Sequence, residues 1–329
     1  FGLKTATTGL YRHLKTHPWV SFTCSCLFPY LRLILPSIQT PLGALPARFR
    51  RPRVLIIGCG DVGQRAVRLL KHARVMALTS TPSKLESLRA MGVVPLMGNL
   101  DQPASLHRLA GLATHVLHLA PPKAPQLADG GNADVRTRSL LQVLHRRSPP
   151  QALVYGSTSG VYGDCGGEMV QECRPRRPQT SRAVLRVDAE NRVNGFSRVA
   201  GVRACVLRIP GIYAPDRDGG TPKARLERGT PVLTADDDVY TNHIHADDLA
   251  RACVLALWRG KARGSFNVND DTQLKMGDYF DLAADVYGLP RPQRVTRAEA
   301  ALHISALTLS FMSESRRMDN RRIKRELGF

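Results

Sequence analysis

Acidic residues are missing from the first 53 positions, which hold eight Lys or Arg, and the 329-residue chain carries 27 acids against 47 bases. The other 276 residues still keep a formal charge of +12, so the excess of base is not confined to one end. Such a surface favours anionic partners, phosphorylated cofactors among them, without fixing a fold. Aromatic residues are scarce at 6%, and internal repeats and low-complexity runs are lacking. With 43% apolar residues the chain reads as globular, which excludes collagen, coiled coil and wholesale disorder. Seven cysteines, at 24, 26, 59, 165, 173, 205 and 253, form no paired framework. That pattern suits a reduced, cytoplasmic protein whose core needs neither disulfide nor structural metal.

A convincing membrane span is lacking too. Trp19–Leu35 has the length of a marginal span, but Pro29 and Arg32 interrupt it, and a charge at mid-span is costly. Residues 1–53 are expected to be a basic, disordered extension, with a targeting peptide as the alternative.

From Val54 onward, apolar runs alternate with helical patterns. Strands are expected at 54–57, 75–78, 93–97, 115–119, 152–155 and 204–209, and helices at 84–91, 103–112, 136–145 and 184–196, with a further helix opening at Ala66. Ser83 and Glu86 have the spacing of a capping box for the helix at 84–91. The pattern predicts an α/β protein with a Rossmann-type, doubly wound parallel sheet. Beyond Pro210 come loops, a helix at 247–258, a strand at 265–268 and helices at 276–287 and about 313–327. The expected organisation is therefore an extension at 1–53, an NAD(P)-binding domain at 54–210 and a smaller substrate lobe at 211–329 packed on the same domain. That lobe should cover the carboxyl ends of the sheet, where ligands of open α/β folds bind.

The first strand runs into Gly58-Cys59-Gly60-Asp61-Val62-Gly63 and then into a helix. Gly58 allows the tight turn, Gly60 lets a pyrophosphate approach the backbone, and Gly63 lets helix and strand pack closely. Asp61 and Val62 open the helix, whose free amides and partial positive charge suit phosphate. The second strand ends in Thr79-Ser80 without a carboxylate. No acid there repels a 2′-phosphate, and Lys84 or Arg74 can supply charge, which favours NADP over NAD. Asn99, Leu100 and Ala120, at the ends of the next two strands, complete the expected coenzyme set.

Three further strings follow in order: Gly156-Ser157-Thr158-Ser159-Gly160-Val161-Tyr162-Gly163-Asp164, Leu207-Arg208-Ile209-Pro210-Gly211-Ile212-Tyr213, and Asn242-His243-Ile244-His245-Ala246-Asp247-Asp248-Leu249. They resemble the motifs of extended and atypical short-chain dehydrogenases/reductases. With Ser313–Arg317 and Lys324–Gly328 they are similar to the atypical YeeZ-like branch of NAD-dependent epimerase/dehydratase proteins, over about 54–329. Chains of that branch usually run on past this point, so the carboxyl end is expected to be cut short.

The resemblance implies NAD(P) in the Rossmann domain and a nucleotide-sugar or similar small molecule in the carboxyl-terminal lobe. It also implies a catalytic Tyr with a Lys four residues later, and those positions fall on Arg182 and Arg186. A guanidinium stays protonated at any working pH, so neither is a general base; Arg186 is left to hold the nicotinamide ribose or an anion. Thr158 matches the hydroxyl that donates to the substrate oxygen, while Ser159 and Gly160 stand where dehydratases carry Asp and Glu. Thr241 and His243 replace arginines expected of the wider family and of this branch. Tyr162 is then the nearest phenol in sequence, with Glu168 a second candidate.

Other signals carry less. His243 and His245 share a strand face but have no third ligand at characteristic spacing, so no metal is expected. Asp247 or Asp248 is expected to cap the following helix. His115 and His118 fall in an apolar strand and read as core residues. The basic stretch 316–325 reads as the solvated face of a docked helix rather than a nucleic-acid site. The expected function is oxidoreduction or epimerisation of a small carbonyl or sugar-like substrate. The alternative is a non-catalytic, NADP(H)-binding redox-sensing or interaction protein.

Overall fold

A computed structural model describes residues 51–123, 133–305, 309–310 and 312–329. The expected basic extension lies, apart from its last three residues, outside them. Residues 51–329 gather into one unit.

Seven parallel strands form the central sheet: β1 (Arg53–Ile57), β2 (Arg74–Thr79), β3 (Val94–Met97), β4 (His115–His118), β5 (Ala152–Thr158), β6 (Arg203–Ile209) and β7 (Gly264–Asn267). Their spatial order is β7-β6-β5-β4-β1-β2-β3. The order turns outward from β1 in both directions, so the chain leaves β1 and β4 toward opposite faces of the sheet and a crevice remains at their carboxyl ends. Val54 pairs with His115 and Ile57 with His118 across that junction. Farther out, β5 runs beside β6 from Ala152 opposite Arg203 to Thr158 opposite Ile209.

Alternation along β1 builds two layers of core. Val54 and Ile56 face one side, with Ala66 of α1 (Asp61–Leu69) and Leu249, Cys253 and Ala256 of α5 (Ala246–Arg259). Leu55 and Ile57 face the other, with Leu140 and Leu144 of α3 (Val135–His145) and Val193 and Phe196 of α4 (Ser181–Ala200). Each Val, Ile, Leu or Phe buried this way contributes roughly 1.5–3 kcal/mol. The second βα unit closes with α2 (Lys84–Ala90).

The structure changes several local expectations. The span expected as a helix at 103–112 is a 3-10 run, Pro103–Leu109. Ser83 makes no capping bond; its backbone is already helical, and Lys84 N donates instead to Thr81 O at 3.1 Å. The cap of α5 is His245 rather than an aspartate, with Asp247 N donating to its Nδ1 at 3.3 Å.

The largest departure is at the end of the chain, where helix begins only at Arg321–Leu327. Before it, Arg317–Met318 pairs in parallel with Met169–Val170. Asn242 holds that strand from the side: Met318 N donates to its Oδ1 at 2.8 Å, and its Nδ2 donates to Arg316 O at 2.9 Å. Backbone amides satisfied this way cannot also enter a helix.

Candidate functional site

The glycine loop closes the crevice from below. Gly58 has φ +84, and a Cβ there would stand 2.5 Å from Ala120 N, so this position tolerates only glycine. At Gly63 a Cβ would meet Gly58 O at 3.2 Å, which keeps α1 close to β1. Gly60 differs, because a Cβ there would meet nothing within 4 Å. Its lack of a side chain leaves open space beside the amino terminus of α1, which has no side-chain cap. The amides of Asp61, Val62 and Gly63 have no acceptor within the helix, and an anion suits them. A cavity of about 320 Å³ lies here, walled by these residues, Gly156–Thr158 and Arg186. The cradle therefore fits a dinucleotide's pyrophosphate.

An ion network fixes the loop. Arg65, 6% exposed, donates to Asp61 at 3.0 Å, Asp216 at 2.6 Å and Asp247 at 2.7 Å. Asp61 also accepts from Arg217 at 2.6 Å. Asp61 thus has its carboxylate occupied by arginines and contributes its backbone amide to the cradle.

Toward the expected adenine end, Thr79 Oγ1 accepts from Thr81 N at 3.1 Å, a local turn, and Ser80 is exposed. Asn99 Oδ1 accepts from Asp101 N, and Leu100 is buried. Ala120 N donates to Ile57 O at 3.0 Å, so Ala120 shapes the crevice through its backbone. Burial pushes the Cys59 thiol up to about 11, against the pull of the Lys84 ammonium.

A second cavity of about 540 Å³ adjoins the first, sharing Thr158, Arg186, Pro210, Ile212 and Arg217 as walls. Thr158 ends β5 in extended conformation, and its Oγ1 accepts from Gly160 N at 3.3 Å. Arg182 and Arg186, one turn apart on α4, both line this cavity. Arg186 Nη1 donates to Tyr155 OH at 3.1 Å and to Gly156 O at 2.5 Å. The two places where the family resemblance implies Tyr and Lys thus carry guanidiniums beside Thr158.

Tyr162 does not join them. It is 1% exposed, walls neither cavity, donates to Asn267 Oδ1 at 2.7 Å and accepts from Arg208 Nη1 at 2.8 Å. Burial pushes its phenol up to about 12 despite Arg208. Tyr162 is expected as the nearest phenol in sequence to the reacting end, and the 3-10 turn Ser159–Tyr162 places its ring in the interior instead. There it meets a buried pair, Arg208 and Glu190 at 2.9 Å, to which Ser157 Oγ also donates at 2.6 Å. Glu168 is spent on Arg174 at 2.5 Å.

Sequence reasoning missed Arg217, Glu314 and Arg316 as cavity walls. Arg217 sits in a Pro- and Gly-rich loop with no periodicity, and Glu314 and Arg316 fell inside a stretch taken as helix. His243 stacks on Tyr279, ring centroids 4.3 Å apart. Among the described residues no three His, Cys, Asp or Glu side chains gather as metal ligands. Nor is any described helix long and apolar enough to cross a membrane.

The NAD dependent epimerase/dehydratase family model matches residues 54–269. A protein of Methanocaldococcus jannaschii, provisionally named a UDP-glucose 4-epimerase, is 22% identical over 190 residues, which is 51% of this chain. The chain spans 60% of that relative's length. Among solved structures, a conserved protein of unknown function from Silicibacter pomeroyi DSS superposes with TM-score 0.71 at 29% identity. The match covers 84% of this chain and 93% of that one. The DesIV double mutant, a dTDP-glucose 4,6-dehydratase from Streptomyces venezuelae solved with NAD, gives TM-score 0.67 at 21% identity over 84% and 91%. At that identity the likeness is one of fold.

Proposed function

This chain belongs to the NAD-dependent epimerase/dehydratase family, and on that premise we propose that it binds NAD(P) and carries out oxidoreduction or epimerisation of a small carbonyl or sugar-like substrate. The observation that carries the reading is the uncapped amino terminus of α1. It opens past Gly60 into a crevice that shares Thr158 and Arg186 with a second, larger cavity. Residues 54–210 supply the coenzyme side, and much of 211–329 closes the substrate side.

The amides of Asp61, Val62 and Gly63 hold the pyrophosphate, and Arg217 shares the same wall. The coenzyme supplies hydride transfer when bound. Thr158 donates a hydrogen bond to the substrate oxygen, and Arg186, fixed on Tyr155 and Gly156, orients the reacting end. Thr79, Ser80, Asn99 and Leu100 face the adenosine half. NADP is preferred over NAD, because the end of β2 offers no carboxylate and Lys84, shortly after it in sequence, can supply charge.

A second reading is favoured by Arg182 and Arg186 themselves: a protein that binds NADP(H) without turnover and senses redox state. Titrating the full chain with NADPH and NADH by fluorescence, then following coenzyme oxidation against carbonyls and sugars, separates the two. Oxidation supports the enzyme, and tight binding without it supports the sensor. Failure of both coenzymes to bind removes the proposal.

A further inference from the structure

The charged residues that wall the larger cavity, among the described residues, are Lys123, Arg182, Arg186, Arg217 and Arg316 and one carboxylate, Glu314. Arg316 gives its charge to Glu314 at 2.8 Å, and Arg217 to Asp61 at 2.6 Å. Arg186 is held differently, since the two acceptors of its Nη1, Tyr155 OH and Gly156 O, are both neutral. Those bonds fix the guanidinium in place without cancelling its charge, and a positioned guanidinium is well suited to a carboxylate or phosphate.

Glu314 makes the complementary demand. It is 9% exposed; its Oε2 accepts from Arg316, and its Oε1 has no hydrogen-bond partner among the described residues. A buried acceptor left alone costs about 1–3 kcal/mol. Arg316 cannot turn to relieve it, because its Nη1 also donates to Gly163 O at 2.7 Å and its Nη2 reaches Ser159 Oγ at 3.5 Å.

An anion alone answers Arg186, and a neutral sugar alone answers Glu314. We propose that the cavity takes a small polyhydroxy acid, with its oxyanion group against Arg186 and a hydroxyl donating to Glu314. The inference rests on reading this cavity as the substrate side of the coenzyme crevice. It narrows the substrate from any carbonyl or sugar to one bearing a negative charge close to the reacting end. The arginine at the position implied for Lys, Arg186, thereby gains a role in recognition.

The test is calorimetric, on the full chain with and without NADP, using D-glucuronate, D-gluconate, glucose 6-phosphate, D-glucose and inorganic phosphate. At least one of the three acids should bind about tenfold or more tightly than D-glucose. Whether the carboxylates or glucose 6-phosphate leads identifies the oxyanion. Arg186→Met should erase the preference. Glu314→Gln should weaken the best acid about tenfold and leave inorganic phosphate unchanged.

D-glucose binding as tightly as the acids, or none of the acids binding, overturns the proposal. So does a preference that survives Arg186→Met. The wild-type comparison decides the matter even if a variant fails to fold. NADPH fluorescence on the same preparation keeps the two readings apart: coenzyme binding with no acid binding sinks this inference alone, and no coenzyme binding sinks the premise.

Discussion

Arg65 Nη1 donates to Asp247 Oδ1 at 2.7 Å, joining the helix that opens the glycine loop to the helix that follows His245. The same guanidinium reaches Asp61 in the loop and Asp216 in the segment over the crevice. One buried side chain therefore sets the position of three segments around the proposed pyrophosphate site. Arg65→Met should lower stability by about 1.5–3 kcal/mol, the range for hydrogen bonds to charged groups. It should also weaken NADPH binding severalfold. Urea unfolding and fluorescence titration measure the two effects separately.

The glycines of the loop should fail in different ways. Gly58→Ala places a Cβ 2.5 Å from Ala120 N at φ +84, so the protein should lose several degrees of melting temperature. Gly60→Ala meets nothing within 4 Å and should melt like the native chain while binding NADPH at least tenfold more weakly. A thermal melt and a titration on each variant check the contrast.

This contrast also shows what the sequence could and could not reveal. The sheet, its order and the glycine loop were legible because period-two apolar runs and a turn that only glycine can make are local signals. Val54 and Ile56 facing one layer, with Leu55 and Ile57 facing the other, follow directly from alternation. The substrate side was less legible. Glu314 and Arg316 enter the cavity because Arg317–Met318 pairs with Met169–Val170, a contact about 148 residues distant in sequence that no local pattern announces. Tyr162 misled for a related reason: spacing placed a phenol near Thr158, but the partners that turn it inward are Arg208 and Asn267.

Tyr162→Phe should accordingly leave coenzyme affinity and any turnover unchanged. It deprives the buried Asn267 Oδ1 of its donor and Arg208 of an acceptor, so stability should fall by about 1–3 kcal/mol. Loss of turnover with unchanged stability would restore Tyr162 to the chemistry.

His118 contributes to the pH dependence of stability. It is fully buried, and burial first, then the Arg186 charge, hold its imidazole down at about 3 against an ordinary value of 6.5. The unfolded chain therefore binds a proton below pH 6.5 that the folded chain refuses until near pH 3. The stability tied to neutral His118 is complete above pH 6.5 and is lost as pH falls, by up to about 1.4 kcal/mol per pH unit. Urea midpoints should drop between pH 6.5 and 5, and His118→Met should reduce that slope without abolishing it, because burial also holds the His115 imidazole down at about 4.

The account turns on a dinucleotide lying against the start of α1. A crystal of the full chain grown with NADP measures this directly. The expected result is electron density for the pyrophosphate within hydrogen-bond distance of the amides of Asp61, Val62 and Gly63, with the nicotinamide end directed toward Thr158 and Arg186. Density elsewhere, or none at saturating NADP and NAD, would contradict it.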